Sequence, residues 1–256
     1  MKLFKRTVIF LLIFIIVVWV ANFLWVYYPS NTVNATKSEI KQTEILLKES
    51  DISVNENILT QKTKSVKTPQ IEFIAQDNDL FNENVSKNKL KKISENEYMY
   101  GDNTLTIDGN SLIFEGYSDI IEKNTPDTAI IKAKKLISYL SLSTKHMLVS
   151  MQEKQDGIMV IFIPEYKNRP VFDWKISVMM YGAKKYKVTA SPYRLKENGL
   201  KELPSTVCAA LAELALSGKA KYNEITETTL GYKFESGKLV PAWEIKTKEK
   251  NTFYIR

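Results

Sequence analysis

The residues of this chain that could carry out chemistry are few and scattered. His146 is the only histidine and Cys208 the only cysteine among 256 residues, so a disulfide within the chain is excluded. A catalytic triad or a zinc site needs several such groups at a fixed spacing, and the sequence has no Gly-x-Ser-x-Gly, Ser-x-x-Lys or His-Glu-x-x-His motif. A structural or surface histidine and a buried, unreactive thiol are therefore the default interpretations.

Two other sets of residues could in principle bind cations or metals. Paired carboxylates can hold a cation or hydrolyse a glycosidic bond, and thioethers suit soft metals or adaptable surfaces. The carboxylates are Asp102, Asp108, Asp119 and Glu122, and the methionines are Met147, Met151, Met159, Met179 and Met180. Nothing in the sequence brings the acids together, and filling of the core explains the methionines. With only nine glycines and no phosphate-binding loop, we predict no catalytic residue, no metal site and no cofactor.

The elements that position any such group begin at the N-terminus with a membrane anchor. Lys2, Lys5 and Arg6 precede an apolar run from Val8 to Tyr28. A helix needs about 20 apolar residues to cross a bilayer, and positive residues stay cytoplasmic. We therefore predict a cytoplasmic N-terminus over residues 1–6, a single transmembrane helix over 7–28, and an extracytoplasmic remainder in the cell membrane.

The anchor has one competing interpretation and two candidate contact residues. A cleaved signal peptide has a shorter apolar region ending in a small-x-small site, and Val33 to Ala35 would serve as one. The length of the apolar run favours retention. Trp19 and Asn22 are the candidate contacts with a partner helix, since a polar group in hydrocarbon favours such a partner; hydration of Asn22 near the outer interface is the alternative.

Net charge argues against nucleic acid as a partner. The chain carries +7, of which the three N-terminal basic residues contribute nearly half. That excess is too mild for a nucleic-acid protein, and the predicted topology places the bulk of the chain outside the cell. A Lys-rich solvated surface explains it, and weak attraction to anionic wall polymers or head groups is the alternative.

The exported part has the pattern of an α+β protein. We predict a short tether over residues 29–36, a first α+β module over 37–122 with a helix from Lys37 to Ser50, and a second region over 123–256. Residues 55–70 and 76–97 have loop composition, with a short strand from Ile71 to Ala75 between them. Asp108-Gly109 between two apolar triplets predicts a tight hairpin.

The second region contains two similar segments, over 123–200 and 201–256. Each opens with a proline-containing helix start, at Thr125 and at Leu203, and each continues into strands. Both helices have apolar faces. The first has Ile130, Ala133, Ile137 and Leu140, with Leu136 beside them, and the second has Val207, Ala210, Leu211 and Leu214.

A proline shortly before a Trp-charged-Ile sequence occurs in both segments. The two predicted strands run from Val171 to Ile176 and from Val240 to Ile245, and Trp174, Trp243 and Pro241 are the expected anchors of the repeat. We therefore predict two copies of one helix-on-antiparallel-sheet module. Chance similarity of two α+β segments is the alternative.

The arrangement resembles the YycI and YycH family of membrane-anchored accessory proteins, with YycI the nearer type. The resemblance covers a basic end, a single span and an exported α+β region. Its most specific part is Leu230-Gly231-Tyr232, followed by Leu239 to Ile245 with Pro-Ala-Trp, and the final strand Thr252 to Ile255. These motifs are apolar and structural.

The resemblance implies a non-enzymatic regulator of a cell-envelope two-component system in Gram-positive bacteria. Its partners would be the WalK (YycG) sensor histidine kinase, a paired YycH-like accessory protein and the membrane, with signal transduction through the transmembrane helix. Two alternatives place function in the exported part: a wall- or ligand-binding module, and an envelope hydrolase. The latter would need partner groups around His146 or paired acids.

Overall fold

The computed structural model describes residues 32–73, 91–121, 125–140, 146–182, 184–191 and 193–256. Within these residues no helix is long and apolar enough to span a membrane. The predicted span over 7–28, with Trp19 and Asn22, lies outside the described residues, so the anchor stays a prediction.

The described chain is a mixed α+β protein in which strands predominate. Its helices are α1 (Lys37–Glu49), α2 (Glu56–Leu59), α3 (Pro126–Tyr139) and α4 (Val207–Leu216), with a 3₁₀ turn at Asp119–Ile121. The early strands are β1 (Thr32–Val33), β2 (Ser53–Val54), β3 (Thr63–Lys64), β4 (Val66–Phe73), β5 (Lys91–Ser94), β6 (Glu97–Tyr100), β7 (Asn103–Asp108) and β8 (Ser111–Tyr117). The later strands are β9 (His146–Lys154), β10 (Gly157–Tyr166), β11 (Arg169–Pro170), β12 (Ile176–Tyr181), β13 (Lys185–Ala190), β14 (Tyr193–Glu202), β15 (Glu224–Glu235), β16 (Lys238–Thr247) and β17 (Thr252–Ile255).

The chain divides into two compact units, which we call the helical unit and the sheet unit. The helical unit holds the described residues up to Val66 together with Glu202–Thr226 and Thr247–Glu249. The sheet unit holds the described residues of Lys67–Lys201 together with Glu227–Lys246 and Lys250–Arg256. The module boundaries predicted from the sequence, at 37–122 and 123–256, stay predictions.

In the helical unit, α4 packs against α1 and α2. Helix α1 begins at a capping box, in which the Thr36 side chain accepts a hydrogen bond from the backbone of Glu39 and the Glu39 carboxylate accepts one from the backbone of Thr36. Helix α4 begins after Thr206, whose hydroxyl accepts a hydrogen bond from the Ala209 backbone at 3.1 Å. The four residues predicted for its apolar face, from Val207 to Leu214, are all fully buried.

The sheet unit is built on a nine-stranded sheet. Its order is β11-β10-β12-β13-β8-β7-β6-β5, with β9 paired to β10. The neighbouring strands in it pair antiparallel, and the predicted hairpin is confirmed by the Asp108↔Ser111 pair that closes β7 and β8. Helix α3 lies on strands β10 and β12. The core beneath it contains Ala133, Leu136, Ile137, Val160, Phe162, Ile176, Val178 and Met180.

A second sheet contributes strands β14-β4-β16-β15 to this unit, with β17 paired to β16. Cross-strand partners in the last pair are Trp243↔Ile255 and Glu244↔Tyr254, so Glu244 and Tyr254 point to the same face. Trp243, which is 1% exposed, lies on the opposite face.

Four sequence expectations are wrong in detail. Residues 55–70 do not form a loop, because Asn55 caps the helix α2 and strands β3 and β4 follow. The strand expected from Ile71 to Ala75 already begins at Val66, and residues 91–94 and 97 belong to strands β5 and β6. On α3 Ala129 is buried as well, whereas Ile130 and Leu140 of the predicted face are only partly buried.

The fourth error concerns residues 171–176. Only Ile176 belongs to a strand, the first position of β12, because the preceding residues turn: the Trp174 backbone donates to the Val171 carbonyl at 2.9 Å. The Phe172 backbone instead donates to the Tyr232 carbonyl at 2.8 Å. This turn is held by contacts with β15 that are remote in sequence, so local strand propensity did not reveal it.

Candidate functional site

A concave site lies on one face of strands β15, β16 and β17. We call it the hairpin pocket. Its volume is about 190 Å³, and its lining comprises Lys233, Phe234, Glu235, Val240, Ala242, Tyr254, Ile255 and Arg256. All eight residues belong to the sheet unit. The volume is below the roughly 300–1,000 Å³ typical of small-molecule sites and suits a single side chain better.

Alternation along the strands explains how an apolar floor and a charged rim coexist. Val240 and Ala242 are two residues apart on β16 and therefore share a face, where they are 2% and 3% exposed. Lys233 and Glu235 share a face of β15 in the same way. The Arg256 guanidinium pairs with the Glu235 carboxylate at 2.5 Å, so the rim carries both signs of charge.

Gly231 lets a second segment press onto this face. A Cβ at that position would lie 2.5 Å from the Pro170 carbonyl oxygen and 2.5 Å from the Phe172 ring. Phe172 in turn contacts Tyr254, with ring centroids 5.1 Å apart. The glycine of the Leu-Gly-Tyr motif is therefore required by packing.

Asp173 fastens this segment to β15. Its carboxylate accepts a hydrogen bond from the Phe234 backbone at 2.9 Å and lies 3.6 Å from the Lys233 ammonium. The same ammonium lies 4.9 Å from the centroid of the Tyr254 ring. The rim on this side of the hairpin pocket is thus held by one carboxylate, one ammonium and one aromatic ring.

Tyr254, which lines the pocket, is held by Glu244 beside it. The Tyr254 hydroxyl donates to the Glu244 carboxylate at 3.1 Å, and Lys246 pairs with that carboxylate at 3.1 Å and with Glu227 at 3.2 Å. Burial, followed by the charge of Glu244, raises the pKa of Tyr254 to about 12. The phenol is therefore a hydrogen-bond donor at neutral pH.

Lys246 neutralises the nearly buried Glu244. Burial acts to lower the pKa of Lys246, but its hydrogen bonds and charge attraction to Glu244 and Glu227 outweigh that effect and raise it. Glu244 is 6% exposed, and its carboxylate is bonded by the Tyr254 hydroxyl and the Lys246 ammonium. This arrangement stabilises a fixed carboxylate behind Tyr254.

The residues singled out from the sequence lie in separate places. Trp243 and Pro241 lie on β16, on the face opposite Val240 and Ala242, whereas Trp174 lies in the turn before β12 and is 8% exposed. Cys208 is fully buried on α4 in the helical unit, where its thiol donates to the Leu59 carbonyl at 3.2 Å. Burial raises the pKa of this thiol.

The methionines and acids do not converge into one site among the described residues. Met180 is fully buried in the core, Met151 is 37% exposed, and Met159 pairs across strands with Met179 on the other face of the sheet. No group of three or more His, Cys, Asp or Glu side chains in the described part of the chain has the arrangement of a metal site. His146 begins β9.

The sequence did not reveal the hairpin pocket. Its signal was present in the motif Leu-Gly-Tyr, because a glycine inside an apolar strand indicates a close approach of other atoms. The approaching residues, Pro170 to Asp173, are 60 positions away, so the sequence does not say what approaches.

No protein-family model matches the chain, and no curated protein matches it.

Proposed function

We propose that this protein is a membrane-anchored, non-enzymatic regulator of a cell-envelope sensor histidine kinase of the WalK type. It acts through its transmembrane helix and through the exported hairpin pocket. The resemblance to YycI and YycH supports the proposal, together with the basic N-terminal end and apolar run that predict the anchor.

One observation carries the exported half of the proposal: the three strands that carry the motifs behind the resemblance line one pocket. The Leu-Gly-Tyr strand β15, the Pro-Ala-Trp strand β16 and the last strand β17 line the hairpin pocket together. Apolar floors with a charged rim are typical of anchor-residue pockets at protein–protein contacts. The occupant that this geometry favours is a side chain from an extracytoplasmic segment of the kinase or of a paired YycH-like protein.

Strand β17 adds a way to bind that segment. It pairs with β16 through Trp243↔Ile255 to Lys246↔Thr252, and no other described strand pairs with it. An extended partner segment can add to such an edge, where main-chain hydrogen bonds supply affinity and a neighbouring pocket supplies specificity. Regulation then needs a coupling free energy of only about 1–3 kcal/mol between the two proteins.

The test is a crosslinking pull-down of the full-length protein from its native membrane. Three forms are compared: native, one with Val8 to Tyr28 replaced by polyleucine, and one in which the rim pair is exchanged as Glu235→Arg with Arg256→Glu. The exchanged pair retains an ion pair within the protein and presents the opposite charges to a partner, so it controls for loss of folding.

Each outcome of the pull-down has a definite meaning. Recovery of a sensor kinase by the native form alone supports both contacts. Recovery that fails only with the polyleucine form places the contact in the span, and recovery that fails only with the exchanged rim places it in the pocket. If no form recovers a kinase, the regulator proposal is wrong and a wall- or ligand-binding module replaces it.

A further inference from the structure

A second site lies at the hairpin that joins β10 to β11, away from the lining of the hairpin pocket. Lys167 and Asn168 form its two-residue turn, both with positive φ, at 49° and 63°. The closing pair is Tyr166↔Arg169, so these two side chains leave the same face of the hairpin. We call this group the hairpin-tip cluster.

The phenol of Tyr166 is the first unusual feature of the cluster. Tyr166 is 8% exposed, and its hydroxyl is buried with no hydrogen-bond partner among the described residues. Buried hydroxyls are nearly always paired, because an unpaired one loses its hydration without compensation. A ligand that accepts a hydrogen bond from this hydroxyl would remove that penalty.

The cations around this phenol are the second feature. The Lys167 ammonium lies 5.3 Å from the centroid of the Tyr166 ring. Arg169 is half-buried, and neither it nor Lys167 has an ion-pair partner in the part of the chain that the structure describes. A half-buried guanidinium without an acid is costly, because burial removes hydration that no counter-charge replaces.

Tyr232 completes the cluster from β15. Its ring meets the Tyr166 ring edge-on, with centroids 5.6 Å apart. Burial raises the pKa of Tyr232 to about 12, and the positive charge of Arg169 opposes that rise, which places the guanidinium within electrostatic range of the Tyr232 phenol. Two phenols and two cations thus share one small region. The nearest acid in sequence, Glu165, points to the opposite face of the strand.

We propose that the hairpin-tip cluster binds a small oxyanion, a carboxylate or a phosphate group. The Arg169 guanidinium supplies the planar pair of donors that such groups prefer, the Tyr166 hydroxyl donates to a second oxygen, and Lys167 contributes charge from the solvent side. The site is distinct from the hairpin pocket and does not depend on the kinase proposal.

The test uses the full-length protein in detergent micelles, titrated with inorganic phosphate and, separately, with acetate at constant ionic strength. Binding is followed by the chemical shifts of ¹³C-labelled tyrosine rings. The variants are Arg169→Gln and Tyr166→Phe. The matched control is Lys221→Gln, which removes an exposed ammonium lying 5.1 Å from the Tyr222 ring in the helical unit.

The expected result is a saturable shift of the Tyr166 resonance with at least one of the two ions. The affinity for that ion should be at least tenfold weaker in Arg169→Gln and unchanged in Lys221→Gln. Phosphate alone would assign phosphoryl groups, and acetate alone would assign carboxylates. Tyr166→Phe is expected to be as stable as the native protein without the ion and to lose the stabilisation that the ion gives.

Two results would overturn the proposal. One is a shift that is linear in ion concentration and equal in native protein and in Arg169→Gln, which indicates an adventitious ion only. The other is a loss of stability in Tyr166→Phe in the absence of either ion, which would show that the hydroxyl is already paired.

Discussion

Replacing Gly231 by alanine tests the packing of the hairpin pocket most sharply. The new Cβ would lie 2.5 Å from the Pro170 oxygen and 2.5 Å from the Phe172 ring, whereas ordinary contacts exceed about 3.4 Å. One of these neighbours is a backbone atom, so the segment must move away from β15 by most of an ångström.

The cost of that movement follows from what the segment carries. Overpacking alone costs about 1–3 kcal/mol, and the displacement also weakens the hydrogen bond from the Phe234 backbone to Asp173. We therefore expect Gly231→Ala to lower the free energy of unfolding by about 3 kcal/mol, which is roughly a hundredfold in the unfolding equilibrium.

The assay is urea unfolding of the full-length protein in detergent micelles, followed by tryptophan fluorescence and far-ultraviolet circular dichroism. Gly182→Ala is the matched control, because a Cβ at Gly182 meets no atom within 4 Å. A double-mutant cycle with Phe172→Leu is expected to show coupling of about 0.5 kcal/mol or more, since the two sites are in contact. If Gly231→Ala unfolds at the same urea concentration as Gly182→Ala, the packing described here is wrong.

Three further predictions concern the cores and the buried ionisable groups. Leu214→Ala, at a fully buried position of α4, is expected to cost about 2–5 kcal/mol in urea unfolding, whereas Leu216→Ala, at a position 74% exposed, should stay within about 0.5 kcal/mol. The Cys208 thiol, buried and with a raised pKa, should react with iodoacetamide only at the rate of unfolding, and fast labelling of the folded protein would contradict its burial. Burial raises the pKa of Tyr186 and of Tyr232 from 10 to about 12, so these phenols stay protonated to higher pH in the native state than in the unfolded state. Their contribution to the free energy of unfolding is therefore complete below pH 10 and is lost as the pH rises to about 12. Absorbance at 295 nm should show two or more tyrosines ionising only with alkaline unfolding, and a single ionisation step near pH 10 for all tyrosines would refute this.

Local signals predicted the three longer helices, α1, α3 and α4, and the hairpin well. Helices α1, α3 and α4 lie where helices were expected from Lys37 and after Thr125 and Leu203, and Asp108-Gly109 forms the turn that its backbone preferences dictate. The four residues predicted for the apolar face of α4 are all buried, because their spacing places them on one side of the helix; Ala215 is buried in addition.

Features that depend on distant contacts were not predictable in the same way. Residues 171–175 have strand composition, yet the Phe172 backbone bonds to Tyr232 and Asp173 bonds to Phe234, which draws the segment into a turn. The hairpin pocket and the hairpin-tip cluster both depend on such contacts between residues about 60 positions apart. Periodicity and propensity describe neighbours along the chain, so neither site could be found from them.

Autophosphorylation of the sensor kinase in nanodiscs that also contain this protein tests the regulatory claim most directly. The kinase recovered by crosslinking is reconstituted alone, with the native protein, and with the polyleucine form. The account predicts a change of at least about fivefold in the rate with the native protein and a smaller change with the polyleucine form, as expected for a coupling near 1 kcal/mol. An unchanged rate in nanodiscs where crosslinking shows the two proteins bound would contradict it.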